Sequence, residues 1–141
     1  MIYEASIKEL LKDNKRYMSI DLGIDNLASC SSNVSKSFII NGKPVKSINQ
    51  YYNKKKADLQ SELELKNKKK SSKQIQNLTL KRNNKIKDYF HKASRYIVNQ
   101  LVNQSINTLI IGKNDGWKQE TNIGNVNNQN FTQIPHQMFI N

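Results

Sequence analysis

A chain of 141 residues with 36% hydrophobic content has room for one moderate core and excludes a second full domain. No apolar run is long enough to span a bilayer and no signal-peptide pattern opens the chain, so the expectation is a soluble, cytoplasmic protein without membrane partners. The single cysteine, Cys30, excludes an internal disulfide framework and any complete four-cysteine zinc site within these residues.

The net charge of +12 is unevenly placed. Between Lys43 and Arg95 there are 16 Lys/Arg against 4 Asp/Glu, while the remainder carries 7 of each sign. The whole excess therefore lies in one central segment and marks a surface suited to a polyanion. A compositional bias toward Lys, Asn and Ile explains why Lys outnumbers Arg 20 to 3, but not why the charge is localised.

Residues 1–16 read as a preceding helix or linker, with Ile7, Leu10 and Leu11 at helical spacing up to Lys15. From Tyr17 the period changes to two. Met18, Ile20 and Leu22 fall on one face, and Tyr17, Ser19 and Asp21 on the other. Gly23 and Asp25-Asn26 supply turn chemistry, and Leu27 to Cys30 resumes as a second strand. Asp21 stands ahead of the bend, on a strand otherwise built for burial, where an unpaired charge is costly. A turn cap is the role of Asp25-Asn26; metal binding is the reading favoured for Asp21. Phe38 to Ile40 forms a third strand closed by Asn41-Gly42, which completes an antiparallel meander.

Pro44 opens a helical, highly charged region over 46–106. Its first half, from Tyr51 to Lys70, has a thin stripe of Tyr52, Leu59 and Leu63, with charge almost all round. Ser71-Ser72 breaks it and can cap a second helix. There Ile86, Phe90, Ala93, Ile97 and Leu101 recur at steps of four, three, four and four, with Val98 and Val102 widening the core stripe. Lys81, Lys85, Asp88, Lys92 and Arg95 occupy another face. Such a row is commonly just solvated, but here it continues a basic run and, with Arg82, becomes a candidate phosphate-binding surface. The tyrosines Tyr51, Tyr52, Tyr89 and Tyr96 interleave with the cations, as on nucleic-acid surfaces. Helix packing accounts for at least half of them.

Thr108 to Ile111 reads as a buried strand by its continuous apolar run, ended by Gly112. A strand after a helical crossover makes a mixed α/β sheet, whose sites lie at strand ends. The tail from Lys113 to Asn141 has a long Asn-rich loop, then Phe131, Ile134-Pro135 and Phe139-Ile140 as the start of another helix.

Four blocks in this order carry a resemblance: residues 20–28 (IDLGIDNLA), 88–95 (DYFHKASR), 110–119 (IIGKNDGWKQ) and 130–135 (NFTQIP). Together they resemble the central part of the TnpB (OrfB) proteins, transposon-associated RNA-guided nucleases similar to type V CRISPR effectors. The resemblance covers residue 15 onward and implies a RuvC-like domain of RNase H-like fold over 17–141, with the basic helices facing a guide RNA–DNA duplex. It implies two-metal phosphodiester hydrolysis, in which carboxylates hold two divalent ions, magnesium or manganese, that activate water and stabilise the leaving oxygen. Asp21 matches the family's first catalytic and metal-binding aspartate. A second carboxylate usually follows the fourth strand, but Gly112-Lys113-Asn114 stands in that place, with Asp115 and Glu120 as the nearby substitutes. The third acid and the zinc ribbon of the family fall beyond Asn141. The expectation is a truncated copy or fragment that cleaves nothing by itself.

Other residues carry less. Cys30 reads as a small strand residue, since no histidine stands beside it in sequence. His91 and His136 lack ligand spacing, and Trp117 reads as a loop anchor rather than a base-stacking ring. Two rival functions remain: a non-catalytic nucleic-acid-binding remnant with a vestigial Asp21, and an actin-like ATPase fragment. The ATPase lacks a second glycine-rich phosphate loop and gives the basic helices no role.

Overall fold

In a computed structural model the chain is described over residues 10–67, 71–112 and at Phe139. Three strands, β1 (Tyr17–Leu22), β2 (Asn26–Ser32) and β3 (Phe38–Asn41), are followed by two helices, α1 (Lys43–Asn67) and α2 (Lys73–Asn103), and by β4 (Thr108–Ile111). The sheet order is β3-β2-β1-β4. The first three strands pair antiparallel, and β4 joins β1 in parallel after the helical crossover. This mixed α/β sheet, with its helical pair on one face, has the RNase H-like arrangement the sequence blocks imply.

The period-two alternation of β1 sets which face is covered. Met18, Ile20 and Leu22 are buried, whereas Ser19 and Asp21 are exposed on the opposite face. With Ala28, Cys30, Ile97 and Ile106 the inward residues form one core cluster. A second gathers Leu27, Val45, Ile86, Phe90 and Ala93. Leu27 and Ala28 are both buried because the β2–β3 register shifts between Asn26 and Ala28, and a bulge turns consecutive residues inward. Burial without a charged neighbour pushes the Cys30 thiol up to about 11.

The β1–β2 bend is locked to the start of α1. The Gly42 amide donates to the Asp25 carbonyl at 2.8 Å, and a side chain at Gly42 would collide with the Ile24 carbonyl oxygen. Asp25 also pairs with Lys46 at 3.1 Å. α1 therefore begins at Lys43, earlier than the expected residue 46: Asn41 Oδ1 accepts from the Lys43 amide, and Pro44 needs no donor in the first turn. Ser72 caps α2, its hydroxyl accepting from the Ile75 amide. α2 ends at Asn103, short of Ile106, in a Schellman turn described by Ile106 N–H to Leu101 O and Ser105 N–H to Val102 O, with Ser105 at φ 50°.

Three expectations are corrected. Leu10 to Lys15 is irregular chain with a bend at Lys15 rather than helix, tied by side-chain hydrogen bonds to the end of α2; the residues before Leu10 lie outside the described ones. Val98 and Val102 do not widen the core, being 44% and 71% exposed; Val98 borders an open groove with Leu109 of β4 instead of packing against it closely. β4 is not buried either. It is an edge strand, and Ile110, on the face away from the helices, is 54% exposed. The C-terminal helix expected around Ile134 to Ile140 lies outside the described residues except for Phe139, which is helical and stands edge-on to Phe90, ring centroids 5.5 Å apart. No helix among the described residues is long and apolar enough to cross a membrane.

Candidate nucleic-acid and metal-binding site

Asp21 is the penultimate residue of β1 and projects from the sheet face that carries no helix. It stands directly across from Ser29 on β2. On its other side the chain leaves β4, and Gly112 donates its amide to the Ile20 carbonyl at 3.0 Å. Asp21, Ser19, Ser29, Ser31, Ile39, Ile110 and Gly112 share one shallow recess of about 520 Å³. The carboxylate is thus exposed, and it faces the end of the fourth strand.

Ile39, Phe38 and Ile110 make much of this recess apolar, and the side-chain groups it offers a cation are hard oxygen donors, one carboxylate with serine hydroxyls near it. A single carboxylate does not complete a two-ion site, and the described residues hold no group of three His, Cys, Asp or Glu that could coordinate a metal. Asp115 and Glu120, the substitutes considered for the second ligand, lie outside the described residues, as do Trp117 and His136. Strand alternation alone sets Ser19 on the face of Asp21, but it does not single out Ser29, which the hairpin register places directly across from the carboxylate.

On α2, Lys81, Lys85, Lys92 and Arg95 are all exposed, and Lys92 pairs with Asp88 at 2.7 Å. Arg82 differs. Its Nε donates to Asn49 Oδ1 at 2.8 Å, its Nη1 to Asn83 Oδ1 at 2.9 Å, and its guanidinium lies 5.7 Å from the Tyr52 ring centre. Partial burial lowers the Arg82 pKa from its ordinary value. Tyr52 also shares a hydrogen bond with Thr79 at 3.1 Å. Arg82 therefore ties α1 to α2, a role the charge pattern did not reveal. The signal was Asn49, a buried amide on the Val45–Tyr52–Leu59 stripe of α1.

His91 is exposed on α2 and lines an apolar groove with Val98, Leu109 and Phe139. Tyr89, by contrast, is half-buried and donates its hydroxyl to the Asn41 carbonyl, and burial raises its pKa. The sheet thus offers one carboxylate at a strand end, and α2 offers a row of exposed cations, Lys81, Lys85, Lys92 and Arg95, of which Lys92 is paired with Asp88. A family model described as OrfB_IS605, probable transposase, matches residues 2–118. A search of curated proteins returned no match.

Proposed function

The chain belongs to the OrfB_IS605 family of probable transposases, and on that footing we propose that it serves a transposon-encoded, RNA-guided DNA endonuclease of the TnpB type. The RuvC-like sheet contributes Asp21 as a ligand for a divalent cation, magnesium or manganese. The basic helices grip guide RNA and target DNA in the cytoplasm. The observation that carries the reading is the family match, which spans both the β1 strand bearing Asp21 and the helices bearing the cations. When bound, the cation would supply water activation; Asp21 would hold it, and Ser19 and Ser29 would border it.

The excess positive charge confined to the helical pair, which needs no metal site to act, favours a second reading for this chain alone: nucleic-acid binding without cleavage. Magnesium-dependent nicking of DNA by the purified chain, lost in Asp21→Ala, would exclude that second reading.

Affinity for RNA and for DNA measured over a salt series tests the binding function. Each cation that touches phosphate should steepen the log–log salt slope by about 0.7–0.9. Replacing Lys81, Lys85, Lys92 and Arg95 together by Ala should flatten it. A slope unchanged by the four substitutions overturns the assignment of this face.

A further inference from the structure

Lys85, Tyr89, Lys92 and Tyr96 succeed one another on α2 at steps of four, three and four, which places cations and rings on one helical face. Where this face passes the β3 edge it meets Phe38, Ile39, Ile40 and Asn41. With Ala93, these residues and the two tyrosines line an open recess of about 320 Å³. Tyr89 is a fixed wall, its hydroxyl given to the Asn41 carbonyl.

Tyr96 is held differently. It is 48% exposed, and among the described residues its hydroxyl has no hydrogen-bond partner. Its ring stands edge-on to Phe38, with centroids 5.5 Å apart and planes at 85°. Ile39 beside it is also exposed. Exposed cations stand near it along the chain: Lys92 one turn before Tyr96, where it pairs with Asp88 at 2.7 Å, Arg95 next to Tyr96, and Lys36 two residues ahead of Phe38. Apolar surface this open, on a helix whose exposed cations outnumber its acids, fits a ligand with a flat apolar face and an anionic backbone.

We infer that the Phe38–Tyr96 recess is a stacking subsite for an unpaired base of single-stranded nucleic acid. The base lies against the Tyr96 ring while Lys92 and Arg95 meet the flanking phosphates. A duplex keeps its bases stacked on each other and gains from the cations alone. The subsite rests on the nucleic-acid function proposed above and adds to it a preference for unpaired strand.

The test is fluorescence anisotropy with the full chain and labelled oligonucleotides of roughly twelve nucleotides: oligouridine, oligothymidine and a DNA duplex. Tyr96→Ala and Tyr96→Leu should each weaken single-strand binding by roughly 5- to 150-fold, the equivalent of about 1–3 kcal/mol per stacked base. Tyr96→Phe should bind as the unsubstituted chain does, and none of the three should alter duplex affinity or salt slope. The leucine variant keeps an apolar contact to Phe38, so its result stands if the alanine variant does not fold. A loss with oligouridine alone assigns the subsite to RNA, and with oligothymidine alone to DNA. Undiminished single-strand binding by Tyr96→Leu, or an equal loss on the duplex, overturns the subsite while leaving the basic face intact. An unsubstituted chain that binds none of the three overturns the nucleic-acid reading itself.

Discussion

Arg16 donates from Nη1 to the carbonyl of Gln104, 2.8 Å away and 88 residues later in the chain. α2 has no basic residue in its own last turn, and its terminal carbonyls carry partial negative charge. The segment leading into β1 supplies the missing cation. Asn14 adds a hydrogen bond to the Ser105 carbonyl, and Asn107 returns one to the Lys12 carbonyl. Arg16→Ala should therefore lower stability by about 0.5–1 kcal/mol, as loss of a surface-exposed helix-end cation does. Urea denaturation checks this, and a midpoint unchanged from the parent chain would refute the cap.

Ser105 occupies the left-handed C′ position of the Schellman turn, a conformation costly for any residue with a Cβ. Ser105→Gly should stabilise the chain by about 0.5 kcal/mol: the relief of strain exceeds the extra backbone freedom glycine gains on unfolding. The interaction with Asn14 uses the Ser105 backbone carbonyl and survives the substitution. A drop in melting temperature would contradict the assignment.

The elements legible in the sequence are those whose pattern and packing agree. Met18, Ile20 and Leu22 alternate and are buried on one face; Ile86, Phe90, Ala93 and Ile97 step by helical intervals and are buried; Ser72 caps where a serine should. What the pattern could not convey is what lies next to each face. Val98 continues the stripe of α2 in periodicity but borders an open groove, and the apolar run of β4 says nothing of its place at the edge of the strand order. Leu10 and Leu11 are spaced as in a helix, yet the hydrogen bonds of Lys12, Asn14 and Arg16 to the end of α2 tie that segment down in a non-helical course. At the candidate site, the position of Asp21 could be read from strand period alone. The role of Arg82 could not, because its partner Asn49 lies on another helix.

Arg82 and Lys81 are neighbours in sequence with opposite duties, and substitution should separate them. Arg82→Ala removes the donor to the buried Asn49 side chain and the contact with Tyr52, at a cost of about 1–2 kcal/mol. Arg82→Lys should recover little of it, since an ammonium cannot reproduce the planar fork. Lys81→Ala should leave stability within about 0.5 kcal/mol while weakening RNA binding at low salt. Paired melting and binding curves on the three variants decide it, and equal melting temperatures would refute the clamp.

Cys30 is buried on β2, and its thiol is pushed up to about 11 from an ordinary 9.0 by desolvation. The nucleophile in alkylation is the thiolate, so the folded chain should resist iodoacetamide at neutral pH and react only on unfolding. The sign of the pH effect follows. Between pH 9 and 11 the unfolded thiol gives up its proton while the folded one keeps it, so the folded state binds more protons and stability falls as pH rises. Stability measured across that interval for the parent and for Cys30→Ala should diverge, with the parent losing more. Parallel curves would show that the thiol does not contribute.

Asp21 is exposed and, among the described residues, forms no ion pair, so folding makes no visible use of its charge. Asp21→Asn keeps the shape of the side chain while exchanging one acceptor oxygen for an N–H donor, and at this exposed position it should change stability by less than about 0.5 kcal/mol. RNA affinity should hold or rise slightly, because a negative charge near a polyanion has been removed. What should disappear is the response to a divalent cation. Paramagnetic manganese added to the parent chain should broaden the amide resonances of Ser19, Asp21, Ser29 and Gly112, which surround the carboxylate at the end of β1, and leave those at the opposite end of the strand sharp. In Asp21→Asn the same addition should broaden none of them. Equal broadening in both proteins would mean that the cation is held elsewhere, and the assignment of Asp21 as a metal ligand would fall with it.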